Sequence, residues 1–231
     1  MHFLLLGASG RTGQHVVAEL LSQGHTAVAL IRASSSLKAQ SGLTIVTGSP
    51  LSTSDISKAI SATPFVKPAA AIFTLNAPRK SESPFSPPLA PPRFLADSCS
   101  TACQALEEAG IRRIVVMSTA GAGDSWSNLP LLSKAFMGWT NVKLALDDHN
   151  ILDKEIRTTS MEWTLVRAVR LEHDDENQLK QKDIVKQVQV LESDGKGMRM
   201  SDSVSTIQVA KFLVKVAVDG LYSRNTVVVR N

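Results

Sequence analysis

The sequence predicts an α/β protein: a doubly wound, mostly parallel sheet with helices on both faces. Three observations carry that prediction. Short apolar runs alternate with helical patterns along the chain. A glycine-spaced turn, Gly7-Ala8-Ser9-Gly10-Arg11-Thr12-Gly13, joins the first apolar run to the first helical one. The 231 residues, 43% hydrophobic and 20% charged, suit one globular domain (1–231) with a sizeable core.

Phe3 to Leu6 is too short for a helix that ends at glycine and reads as a buried strand. Val16, Val17, Leu20 and Leu21 follow at helical spacing. A strand, a glycine-rich turn and a helix start form a phosphate-binding device. Gly7 permits the tight turn, Gly10 lets the backbone approach a pyrophosphate, and Gly13 lets the helix pack closely on the sheet. The amides and positive end of the helix face the phosphates. An ordinary tight turn is the competing reading. Thr26 to Ile31 is the second strand, and its tip carries Arg32, Ser34, Ser35, Ser36 and Lys38. In a dinucleotide fold this tip meets the adenosine ribose, where an acid would bind the 2′-hydroxyl. A guanidinium with hydroxyls favours a 2′-phosphate instead, hence NADP(H) over NAD(H). The bland alternative is a solvated arginine.

Leu43 to Thr47 is the third strand, Ser52 to Ile60 a short helix, and Ala69 to Leu75 the fourth strand. Right-handed crossovers set the loops after strands one and four on either side of the switch point. Leu75 and Asn76 are therefore expected near the middle or nicotinamide end of a cofactor. Residues 78–92 hold too many prolines for a helix or a central strand. They form an inserted surface loop, either a disordered excursion or a flap over the pocket. Phe94 to Ala109 is a helix with Leu95, Cys99, Ala102 and Leu106 inward. Cys99 and Cys103 sit four apart in it and read as reduced thiols, pointing to a cytoplasmic, reducing setting.

Arg113 to Thr119 is the fifth strand. Ser125 to Thr140 reads as a loop holding Trp126, Phe136 and Trp139, three of the chain's eleven aromatic residues. Rings at the ligand edge suggest a pocket wall for a flat substrate; satellite core is the other reading. Arg170 joins this substrate-side group. Asn141 to Ile156 is a helix and Met161 to Arg167 the sixth strand. Residues 168–203 form a small substrate-side extension. Within it, Glu172 to Glu176 is a solvated acidic loop rather than a metal site, because adjacent ligands cannot all converge. Residues 188–191 and 198–200, flanking Asp194-Gly195-Lys196-Gly197, suggest a hairpin. Ser203 or Ser205 caps a last helix through Ala217. Thr226 to Val229 is the final strand.

The net charge of +4 is spread without a basic stripe, so nucleic acid is not implied. No apolar run reaches membrane-spanning length. The apolar start is broken by glycines and lacks a basic leader, which argues against a secretion signal. A small-molecule substrate and a monomer or homodimer are expected.

With these pieces in view the chain resembles the atypical short-chain dehydrogenase/reductase group, which includes NmrA-like proteins and the biliverdin reductase B/flavin reductase type. The resemblance rests on GASGRTG (7–13), ALIR (29–32), IVVMSTAG (114–121), KLALDDHNILDKEI (143–156) and WTLVR (163–167). It implies a Rossmann-type fold in which Gly7, Ser9, Gly10, Arg11 and Thr12 hold a pyrophosphate. It further implies Arg32 at a 2′-phosphate, Leu75 and Asn76 beside the cofactor, and Ser118 and Thr119 bordering the nicotinamide.

The departures are as informative. Tyrosine-dependent members use a Ser with Tyr-x-x-x-Lys to donate a proton. Here Ala145 and His149 stand where relatives have Tyr and Lys, and the one tyrosine, Tyr222, lies near the C-terminus. His149 could stand in for the lysine at the ribose, act as acid or base, or be a satisfied structural histidine. Asp148 points about 100° away from it on a helix, so the two are no dyad. Ala168 replaces a frequent proline after the sixth strand. Three functions fit: an NADPH-dependent reductase of a conjugated acceptor (flavin, quinone or polyketide-like), a non-redox enzyme holding NADP as a template, or an NmrA-like NADP-sensing regulator. Ser118, Thr119 and His149 are the catalytic candidates of the first.

Overall fold

Apolar runs covered on both sides become the central strands, and the helices between them supply the cover. The computed structural model describes residues 1–81, 83–172 and 187–231. In chain order it contains β1 (His2–Leu6), α1 (Arg11–Ser22), β2 (Thr26–Ile31), β3 (Leu43–Thr47), α2 (Thr53–Ile60) and β4 (Ala70–Phe73). There follow α3 (Phe94–Glu108), β5 (Arg113–Thr119), a 3-10 turn (Gly123–Trp126), α4 (Leu131–Trp139), α5 (Val142–Ile156) and β6 (Glu162–Ala168). β7 (Arg170–Glu172), β8 (Gln189–Leu191), β9 (Ser203–Ser205), α6 (Thr206–Asp219) and β10 (Asn225–Arg230) complete it.

The main sheet runs β3-β2-β1-β4-β5-β6-β10-β8. Its pairings are parallel except β10–β8. This is the doubly wound, mostly parallel Rossmann-like domain the sequence predicts. Strand order reverses beside β1: the chain moves outward to β2 and β3, then returns to β4 on the other side. That reversal opens the crevice in which such folds bind ligands.

Alternation along β1 divides the core. Phe3 and Leu5 face α1 and α6 with Val16, Val17, Leu213 and Val214. Leu4 and Leu6 face α2 and α3 with Ile56, Leu95, Cys99 and Leu106. Cys99 and Cys103 are free thiols inside that second layer. α6 begins at Ser205, whose Oγ accepts the Gln208 N–H at 3.2 Å, and ends on Gly220 at φ +67°. Ser205 is thus the cap, and Ser203 lies in β9.

Four expectations need correction. The stretch 125–140 is not a loop: it holds the 3-10 turn and α4, with Pro130 directly before the first turn. β4 stops at Phe73, which frees Thr74 and Leu75 to bend over the glycine turn. The 188–200 hairpin does not form. β8 instead pairs antiparallel with β10 at Val228–Arg230, the edge of β10 that β6 leaves open. A small parallel pair, β7–β9, lies in the substrate-side segment instead. Of the acidic run 172–176, Glu172 closes β7 and residues 173–176 lie outside the described residues. No helix among the described residues is long and apolar enough to cross a membrane.

Candidate cofactor and acceptor site

A cavity of about 910 Å³ runs along the C-terminal ends of β1, β2, β4, β5 and β6. At one end the glycine turn forms its floor. Gly7, Ser9, Gly10, Arg11 and Thr12 line it. Gly13 lies beneath: a Cβ there would fall 2.1 Å from the Gly7 carbonyl oxygen. Gly7 has φ +97°, and a Cβ on it would meet the Thr74 carbonyl carbon at 2.6 Å. Both glycines are therefore required sterically, one to seat α1 under the turn and one to admit the chain leaving β4. No side chain caps the α1 N-terminus. The turn is a cradle that fits a diphosphate.

Beyond the turn, Arg32, Ser35 and Ser36 line the cavity at the tip of β2, held by a turn in which Ser35 N–H donates to Arg32 O at 2.9 Å. Thr74, Leu75, Asn76 and Ala77 line the middle. Ser118 and Thr119 from β5 and Ala145 and His149 from α5 line the far half. The backbone there is fixed despite the alanine at 168. Ala120 N–H donates to Ala168 O at 2.8 Å, and Val169 N–H to Val229 O at 3.2 Å.

Ser118 and His149 are both buried, and Ser118 Oγ lies 3.3 Å from His149 Nδ1. Burial pushes the His149 imidazole down to about 4, and the negative Asp153 one turn on only partly opposes this. His149 is therefore neutral at pH 7. Asp153 is engaged elsewhere: it accepts from Arg167 Nη2 at 2.5 Å and from Arg157 Nε at 2.6 Å. Arg167 is fully buried and also bonds Asp124 and, at 2.7 Å, the Ser193 carbonyl. Burial raises the Asp124 carboxyl, but hydrogen bonds from Ser193 and Arg167 outweigh it and hold the group below the usual carboxylate range. Asp148 points away from His149, as the helical angle requires. Its carboxylate accepts the N–H groups of Leu95 at 2.7 Å and Ala96 at 3.0 Å, so it caps α3.

Among the rings, Phe136 lines this cavity from α4. Trp126 does not: it borders a separate depression of about 540 Å³ with Met137, Asn150 and Lys154. Trp139 lines neither and is 85% exposed. From α4 the cleft takes Leu132, Ser133, Phe136 and Met137, whereas Trp126 lies in the 3-10 turn before this helix and Trp139 is its last residue. Arg170 is on the wall. So are Leu129, Met198, Met200, Arg79 and Arg199, which pattern reading missed. Leu132 and Phe136, four apart after Pro130, were the available helical signal for α4.

The proline-rich loop folds on itself. Leu89 N–H donates to Pro78 O at 2.8 Å and Ser81 N–H to Ser86 Oγ at 2.8 Å. It then meets the α4–α5 junction, where Asn141 donates from its backbone N–H to Pro84 O at 2.9 Å and from Nδ2 to Phe85 O at 2.8 Å. With Ala77 and Arg79 on the cavity wall, the loop has the form of a flap.

A family model described as NAD(P)H-binding matches residues 7–219. No curated protein matches the sequence. Among solved structures, the chain is similar to the anaerobilin reductase ChuY from Escherichia coli. Identity is 20%, covering 99% of this chain and 96% of that one, with a TM-score of 0.73. It is also similar to a short-chain dehydrogenase/reductase from Veillonella parvula in complex with NADP. There identity is 16%, coverage 100% and 94%, and the TM-score 0.74. The oxidoreductase YlbE from Lactococcus lactis shares 12% identity over 100% and 91%, at a TM-score of 0.74. At these identities the likeness is one of fold.

Proposed function

The chain belongs to the NAD(P)H-binding family, and we propose on that basis that it is an NADPH-dependent oxidoreductase acting on a conjugated or aromatic small molecule. One observation carries the reading: a single cavity joins the glycine turn, the Arg32 strand tip and the buried Ser118–His149 pair.

The glycine turn and the α1 N-terminus hold the diphosphate, with Arg11 and Thr12 beside it. Arg32, Ser35 and Ser36 receive the 2′-phosphate. Leu75 and Asn76 border the cofactor's middle, and Ser118 and Thr119 its nicotinamide. Bound NADPH supplies a hydride. The protein orients the acceptor against that ring and excludes water, using the apolar face of α4. Ala145 leaves no phenol on the wall, and Tyr222 packs against Phe212 at 6.1 Å, off the cavity. The proton-handling group is therefore the Ser118 hydroxyl. Neutral His149 can pass a proton by changing tautomer, releasing one at Nδ1 toward Ser118 while gaining one at Nε2. An electron-poor conjugated acceptor needs no stronger acid.

The test is isotopic. NADPH labelled with deuterium at C4 is mixed with flavin and quinone acceptors, and absorbance and product are followed. Deuterium in the product supports the reductase. Tight NADPH binding with no reduction of any acceptor turns the reading to a template enzyme or a cofactor-sensing regulator.

A further inference from the structure

Beyond Arg11 and Arg32, the cavity wall carries three more arginines: Arg79 from the flap, Arg170 from β7 and Arg199 from the turn before β9. Among the described residues its one carboxylate is Asp202. Asp202 is already committed, accepting from Arg230 Nη1 at 2.7 Å and from the Arg199 backbone N–H at 2.8 Å. Arg170 pairs with Glu172 at 3.2 Å, but both side chains are more than half exposed, and such a pair holds weakly. The Arg79 and Arg199 side chains have no hydrogen-bond or ion-pair partner among the described residues. The same cavity has apolar lining from Leu129, Leu132, Phe136, Met137, Met198 and Met200.

An apolar wall takes up a ring system. Guanidinium forks beside it match the planar oxygens of a carboxylate or phosphate. With the cofactor's own phosphates engaged by the glycine turn and Arg32, a neutral acceptor would leave Arg79 and Arg199 without counter-charge. We infer that the acceptor is anionic: a flat conjugated ring that carries a carboxylate or phosphate. Its ring lies on α4 and its anion meets Arg199, with Arg79 and Arg170 adding to the field. The chemistry at the ring rests on the reductase reading above; the charge preference is a property of binding.

Two ligand pairs isolate the charge: FMN against riboflavin, and a quinone carboxylate against its methyl ester. Each is titrated by fluorescence quenching onto the NADP-saturated protein and assayed for turnover with NADPH. The anionic member of at least one pair should bind about tenfold more tightly, the scale of one charge-assisted contact. The preference should shrink at about 0.5 M salt. It should also collapse in the Arg79→Gln/Arg199→Gln double variant while NADPH affinity stays unchanged. A preference in the FMN pair alone identifies a phosphate, and in the quinone pair alone a carboxylate. Equal binding of both members in both pairs, or a preference the double variant retains, overturns the inference. Anion-selective binding with no reduction of any acceptor defeats the reductase reading and leaves this one standing. Reduction without charge preference does the reverse.

Discussion

The buried imidazole of His149 makes stability depend on pH in a way that one substitution isolates. Its folded pKa is about 4, against an unfolded value near 6.5. The sign follows directly. Above about pH 6.5 both states carry neutral imidazole and stability is at its full value. As pH falls from there toward 4, the unfolded chain takes up a proton that the folded chain refuses, and stability is lost. The gap corresponds to roughly 3 kcal/mol at 1.36 kcal/mol per unit. His149→Gln keeps a polar side chain near Ser118 but cannot titrate. Urea midpoints measured by tryptophan fluorescence at several values between about pH 7.5 and 4 give the stability difference between the two proteins. His2 and His25 are also held low by burial and the nearby amino terminus, but both proteins share them and they cancel. The wild type should lose roughly 3 kcal/mol relative to the variant across the window. A difference that stays constant with pH, or a His149 C–H resonance that titrates near 6.5 in the folded protein, refutes the reasoning. If Ser118–His149 handles the proton, the acid limb of kcat should also fall near 4.

Other perturbations test separate parts. Arg32→Ala should weaken NADPH by about tenfold or more and leave NADH affinity nearly unchanged, measured by cofactor fluorescence; equal losses would remove Arg32 from the 2′-phosphate. Gly13→Ala places a methyl 2.1 Å from the Gly7 carbonyl oxygen, so binding of both cofactors should disappear even where circular dichroism shows the fold retained. Asp153→Asn deprives the fully buried Arg167 of its most enclosed partner and should cost roughly 3–5 kcal/mol in urea unfolding. Asp148→Ala uncaps α3 and should cost about 2 kcal/mol, with faster amide exchange at Leu95 and Ala96.

What could be read in the sequence was local. The turn from Gly7 to Gly13 announces itself because its three glycines are spaced within seven residues, between an apolar run and a helical pattern. The central strands are covered on both faces, so their composition alone marks them. The place of Arg32 on the cleft wall followed from the same logic, since it sits at a strand tip whose position the fold determines. The acceptor half did not. Arg79 reaches the cavity from the proline-rich loop and Arg199 and Met200 from the turn before β9, and no spacing rule links those two segments. Trp126 and Trp139 misled because an aromatic count ignores position: Trp126 closes the 3-10 turn before α4, and Trp139 is the last residue of α4 and 85% exposed. The edge pairing of β8 depends on what β10 leaves unpaired, which is likewise settled only in three dimensions.

α4 contributes no buried side chain. Leu132 and Phe136, its cavity-lining residues outside the core, can therefore be exchanged without disturbing the interior that keeps the protein folded. Mutational scanning there should yield folded, cofactor-binding proteins with altered ligand choice, while equivalent scanning of β5 or α5 should mostly yield aggregates. Under the proposed function, recognition is hung on the outside of the frame like a replaceable panel, and a change of ligand would begin at that panel.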